Sequence, residues 1–93
     1  MYNMPAIYEW DEAKRQDNRA KHGVDFTDME DFEWVTAVVD ADDSPDEPRW
    51  VAKGFIGQTL HFVVFTERGS NIRVISLRKA TRQEAQEYVK HHA

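Results

Sequence analysis

Between Thr59 and Leu77 the chain is patterned for β-structure. Leu60, Phe62 and Val64 alternate with Val63 and Phe65, so both sides of the segment are apolar and a central strand is predicted. Ile72 to Leu77 predicts a second strand of the same kind. The connection Glu67-Arg68-Gly69-Ser70-Asn71 has hairpin length and carries a charged pair at its tip. Upstream, Trp34 to Asp40 is rich in β-branched residues and Arg49 to Ile56 predicts a further strand, with Gly57-Gln58 as the tight turn that follows it. Ala41 to Pro48 carries the Asp and Pro signals of an exposed loop, and Ile7 to Trp10 can form a short strand.

Helix signals punctuate this pattern. Asp11 is suited to N-cap a helix from Glu12 to about His22, and Gly23 is suited to close it in the left-handed conformation. Trp10, Ala13, Ala20 and Val24 would supply a thin apolar stripe, while Lys14, Asn18 and Lys21 or His22 stack in one polar column. That column can hold a phosphate or a base edge, or simply face solvent. Thr27-Asp28-Met29-Glu30 matches a capping box, after which Phe26, Met29 and Phe32 mark a short amphipathic helix. Thr81-Arg82-Gln83-Glu84 matches another, opening a helix to about His91 with Ala85, Tyr88 and Val89 on its buried side. The expected fold is therefore a single α+β domain over residues 1–93: two N-terminal helices, a four-stranded antiparallel sheet and a C-terminal helix, with the helices on one sheet face.

Composition narrows the function classes. A chain of 93 residues can bury a real core. It has no cysteine, which removes disulfides, thiolate metal sites and a cysteine nucleophile and fits a reducing cytoplasm. The opening MYNMPAIYEW has neither the pattern of an export signal nor that of a membrane span. The net charge of −5 hides an asymmetry. Asp25 to Glu47 holds ten acids and no Lys or Arg, whereas from Pro48 onward eight bases face three acids. The field of the second half suits an anionic partner.

The histidines, His22, His61, His91 and His92, show no H-x-x-x-H or H-E-x-x-H spacing, so neither a metal site nor a cofactor is expected. His61 is read as a packed or rim side chain, and His91 and His92 as part of a fraying terminus. No hydrolase or nucleotide-cradling glycine motif is present. What remains is Arg and Lys beside a few proton-carrying groups, the inventory of a metal-independent ribonuclease. RNA supplies its own nucleophile, the 2′-OH; the protein must move two protons and stabilise the added charge on the phosphorane. Arg68, Arg73 and Arg78 suit the phosphate, since the guanidinium fork matches its oxygens. Lys14, His22, Glu67 and Lys79 are the candidates for proton transfer, and the alternative for Arg78 is a simple ion pair with Glu84. A non-enzymatic module whose basic face binds nucleic acid or an acidic protein segment accounts for the charge asymmetry equally well.

WDEAKRQDNRAKHGVDF (Trp10 to Phe26), Arg49-Trp50, TERG (Thr66 to Gly69) and IRVISLRKATRQE (Ile72 to Glu84) together resemble the BrnT family of toxins from bacterial type II toxin–antitoxin systems. The matching positions are Trp10, Asp11, Lys14, Asn18, Lys21, His22, Arg68, Arg73, Ser76, Arg78, Lys79 and Glu84. The resemblance implies a RelE-like fold and a ribonuclease that arrests translation and growth. It adds Asn18, Lys21 and Ser76 as substrate-binding candidates. It further implies a cognate BrnA-like antitoxin, a DNA-binding protein expected to hold the toxin in a two-to-two complex on operator DNA. Such toxins are usually basic, and the acid-rich Asp25 to Glu47 segment is this chain's departure.

Overall fold

The computed structural model describes residues 7–43 and 46–93. The opening MYNMPA and the Ser44-Pro45 centre of the expected loop lie outside the described residues. The strands are β1 (Tyr8–Glu9), β2 (Val38–Asp42), β3 (Arg49–Ile56), β4 (Thr59–Arg68) and β5 (Asn71–Lys79), and the α-helices are α1 (Glu12–His22) and α2 (Arg82–His92). They form one five-stranded sheet in the order β1-β5-β4-β3-β2.

The expected four-stranded antiparallel sheet is corrected to a five-stranded mixed one. β1 pairs in parallel with β5, Tyr8 lying opposite Ile72, while the other three pairings are antiparallel. β1 is two residues long and its partner is more than sixty residues away in the chain, so hairpin signals carry no trace of the pairing. β2 starts at Val38, not Trp34, because Trp34 leaves the sheet plane to enter the core. Its indole packs edge-on against Phe32 and Phe65, its Nε1 donates to the Tyr8 hydroxyl at 2.7 Å, and its carbonyl accepts from Ala37 in a turn.

Local signals are obeyed more closely. The Asp11 carboxylate accepts from the Lys14 N–H at 3.1 Å, and Gly23 closes α1 with φ 68°. Thr81 and Glu84 cap α2 reciprocally. The second expected helix is instead a 3₁₀ helix, Phe26–Asp31, capped by Asp25 with Asp28 and not from Thr27. With three residues per turn a 3₁₀ helix eclipses positions i and i+3. Phe26 and Met29 therefore fall on one line with the C-cap Phe32, and all three are buried.

These side chains meet Trp34, Ala52, Val63, Phe65, Ile72, Val74 and Leu77 in one core on one face of the sheet. Fully burying a Phe, Leu, Ile or Met contributes roughly 1.5–3 kcal/mol each, so this face carries most of the stability. Alternation turns Lys53, Phe55, Phe62, Val64, Arg73 and Arg78 to the opposite face. There α2 packs: Tyr88 meets Phe55 edge-on and donates to the Thr36 carbonyl at 2.9 Å, and Lys53 pairs with Glu87 at 3.2 Å. The helices thus lie on two faces and an edge, not on one face. Val89, expected inside, is 67 % exposed. His92 stays helical, its ring tilted against Tyr88 and its Nε2 3.1 Å from the Thr36 carbonyl oxygen, so this end is not frayed.

Candidate functional site

The site begins with an edge. Among the described residues β1 covers β5 only at Ile72 and Arg73, and the rest of that strand's outer edge has no strand partner there. α1 lies along it. Its expected apolar stripe divides: Val24 is buried and Trp10 packs against the core, but Ala13 and Ala20 are exposed, and the buried residue of the helix is Asn18, 6 % exposed. Asn18 Nδ2 donates to the carbonyls of Leu77 (2.7 Å) and Val24 (3.1 Å), and Oδ1 accepts from the Leu77 N–H at 3.2 Å. The other end of the attachment is Arg15, whose guanidinium donates to both oxygens of Asp25 at 2.7 and 2.9 Å. That fork, with the Thr27 N–H, holds the Asp25 carboxyl far below the usual carboxylate range.

Opposite α1, β5 is irregular. Val64 pairs with Ser76 but Phe65 pairs with Val74, so Ile75 is an extra, unpaired residue in a bulge. A bulge re-aims the side chains around it. Ile75 and Ser76 turn toward α1 and close a cleft of about 250 Å³ with Lys14, Asp17, Asn18, Lys21 and His22. Lys21 pairs with Asp17 at 3.0 Å, and Lys21 and His22 occupy the last turn of α1, where cations meet the negative end of the helix dipole. An open groove lined by two ammonium groups, an imidazole and a hydroxyl suits an anionic ligand and proton transfer to or from it. Among the described residues no three His, Asp or Glu side chains converge as metal ligands.

Beside the cleft, Arg73 and Arg78 stand on the face shared with Ser76 and Val64. Each already has a carboxylate. Arg73 Nη1 donates to Glu9 at 3.1 Å. Arg78 donates through both Nη atoms to Glu84 at 2.7 and 2.8 Å and lies 4.3 Å over the Phe62 ring. The Arg78 fork is the main reason that the Glu84 carboxyl is held down at about 2, against the opposing effect of burial and with help from the Thr81 N–H.

The sequence candidates therefore divide. Lys14, Asn18, Lys21, His22 and Ser76 line one cleft, although Asn18 spends its amide on backbone groups. Arg73 and Arg78 flank it. Glu67 and Arg68 sit at the far hairpin, opposite Ile72 and Asn71, with Arg68 3.9 Å from Glu47. From Asn71 to Arg78 the strand rises roughly 23 Å at ~3.3 Å per residue, so Arg68 and Arg78 do not meet on one phosphate. Lys79 alternates to the side of Leu77, away from Arg78, and is exposed. Asp17 and Ile75 escaped sequence reasoning. Asp17 was marked only by its i, i+4 spacing to Lys21, and nothing in the apolar run around Ile75 signals a bulge.

Residues 10–84 match the family described as "Ribonuclease toxin, BrnT, of type II toxin-antitoxin system". The chain is also similar to a solved structure, the 1.1 Å crystal structure of the Brucella abortus ribonuclease toxin BrnT, at 39% identity and a TM-score of 0.66. That similarity covers 83% of this chain and 100% of the Brucella chain. No curated protein matches the chain.

Proposed function

The chain belongs to the BrnT family of ribonuclease toxins of type II toxin–antitoxin systems, and from that premise we propose that it cuts RNA in the α1–β5 cleft without a metal ion. The observation that carries this reading is the meeting of Lys14, Lys21 and His22 from α1 with Ser76 from the bulge of β5. His22 takes the proton from the 2′-OH, whose oxygen attacks the adjacent phosphorus. Lys14 and Lys21 offset the charge that builds on the phosphorane, with the Ser76 hydroxyl as a further donor. The P–O5′ bond breaks, the leaving oxygen takes a proton from the Lys14 ammonium, and a 2′,3′-cyclic phosphate remains. Arg73 and Arg78 hold the strand on either side. Asn18 is a positioning residue, because it sets α1 against β5.

Purified protein is expected to cut RNA in EDTA, leaving 2′,3′-cyclic or 3′-phosphate ends, with His22→Gln slowed by about a hundredfold or more. Strict dependence on Mg²⁺ would sink the metal-free route. Undiminished cutting by His22→Gln would move the chemistry out of the cleft. Growth arrest with total RNA intact would favour a non-enzymatic binder.

A toxin of this type implies an antitoxin. We infer that a BrnA-like chain, dimeric through its DNA-binding half, holds two toxins and covers the cations around the cleft with carboxylates, while the pair acts in the cytoplasm on translation. No helix among the described residues is long and apolar enough to cross a membrane. Lys14 and Lys21 should resist amine-reactive labelling in the complex, whereas Lys90 should stay reactive. Labelling of the first two at the free rate would exclude direct occlusion.

A further inference from the structure

Arg49 opens β3, directly before Trp50, which packs on the core, so alternation puts the Arg49 side chain on the sheet face opposite the core. Its Nε is buried and has no hydrogen-bond partner among the described residues. A buried N–H of a permanent cation is costly to leave unmet, and an anion drawn to the terminal Nη end of the same guanidinium offsets that cost. The neighbouring hydroxyl does not meet it: Thr66, which continues the β3–β4 register opposite Arg49, donates its Oγ1 to the Pro48 carbonyl at 2.8 Å. Across β4, Thr66 is paired with Arg73, whose contact with Glu9 is made through Nη1 alone. Arg49, Thr66 and Arg73 therefore stand in one row, with the two arginine backbones about 10 Å apart, or two strand spacings. Both side chains are long enough to close on an anion held over Thr66 between them.

The next row on that face is Val51, Val64 and Ser76, and Ser76 lines the cleft. The Arg49–Arg73 row is thus one step along the sheet from the proposed scissile phosphate. We propose that Arg49 and Arg73 form a second anion site, which takes a neighbouring phosphodiester of the same RNA strand and so selects chains over short fragments. This rests on the cleavage reading above. It adds a residue, Arg49, that the cleft itself does not contain.

The test uses the full chain with Arg49→Gln and Arg49→Lys and two substrates. One is a dinucleoside monophosphate spanning the mapped cut site; the other is an RNA oligonucleotide extending it on both sides. For the wild type kcat/KM should favour the longer RNA, and in Arg49→Gln that preference should fall about tenfold, with Arg49→Lys between the two. A preference unchanged in a variant of wild-type melting temperature would overturn the proposal. A second readout is independent of cutting: binding of the 2′-deoxy form of the long oligonucleotide across salt concentrations. Arg49→Gln should flatten the slope of log K against log salt by about one unit; an unchanged slope also overturns the proposal. If wild type cuts neither substrate yet the slopes differ, the cleavage reading fails and the anion site stands.

Discussion

The tip of the Phe32 ring presses on Gly54: a Cβ added to that glycine would come within 2.5 Å of Phe32 Cζ. Phe32 is 6 % exposed and wedged against Trp34, so it cannot swing aside. Gly54→Ala is expected to destabilise the domain by about 1–3 kcal/mol through overpacking. Urea unfolding measures it; an unchanged midpoint would mean that the ring has another place to go.

Asn18→Ala removes the side chain that satisfies both backbone groups of Leu77. Two orphaned groups at ~1–3 kcal/mol each suggest a loss of about 2–6 kcal/mol, a large part of a total of about 5–15. The protein should stay folded in buffer with a lowered denaturation midpoint. Wild-type stability in Asn18→Ala would show that water replaces the amide without loss.

Acid should act through Glu84. Its carboxyl is held at about 2 in the folded protein, chiefly by Arg78, whereas in the unfolded chain it titrates near the ordinary value of 4.5. The folded pKa is depressed, so this contribution to stability is fully present above about pH 4.5 and is lost as pH falls toward 2. Wild type minus Glu84→Gln isolates it from Asp25 and Glu9, whose carboxyls are also held low. The difference in unfolding free energy should shrink across that window. A difference constant with pH would detach Glu84 from Arg78.

Lys14→Ala and Lys21→Ala should each weaken RNA binding and lower its salt slope by about one unit, with little change in melting temperature, since both side chains are exposed. Lys90→Ala, far along α2, serves as the control. If all three variants bind with the same slope, the cleft does not hold phosphate.

The capping residues Asp11, Gly23, Thr81 and Glu84 were legible in the sequence because their partners lie within four residues. So were the central strands β4 and β5, whose apolar runs need no knowledge of neighbours. β1 and Asn18 were not, since their partners are 64 and 59 residues away, as between Glu9 and Arg73 and between Asn18 and Leu77. A polar residue that replaces a missing strand looks the same in sequence as one that faces solvent. The separation of Arg68 from Arg78 is of the legible kind: with the hairpin turning at Gly69, the rise per residue of an extended strand is enough to hold the two guanidinium groups apart.

The bulge at Ile75 and Ser76 has a bearing on the order of synthesis. α1 is made early and carries the amines and the imidazole, but the wall that faces them belongs to the last strand. Until β5 has been made and has found Asn18, the cleft does not exist in any form, folded or partly folded. If RNA is cut in that cleft, a chain translated only as far as β4 cannot cut its own message. Premature termination anywhere before Ile75 yields a fragment that keeps Lys14, Lys21 and His22 but lacks the strand that faces them.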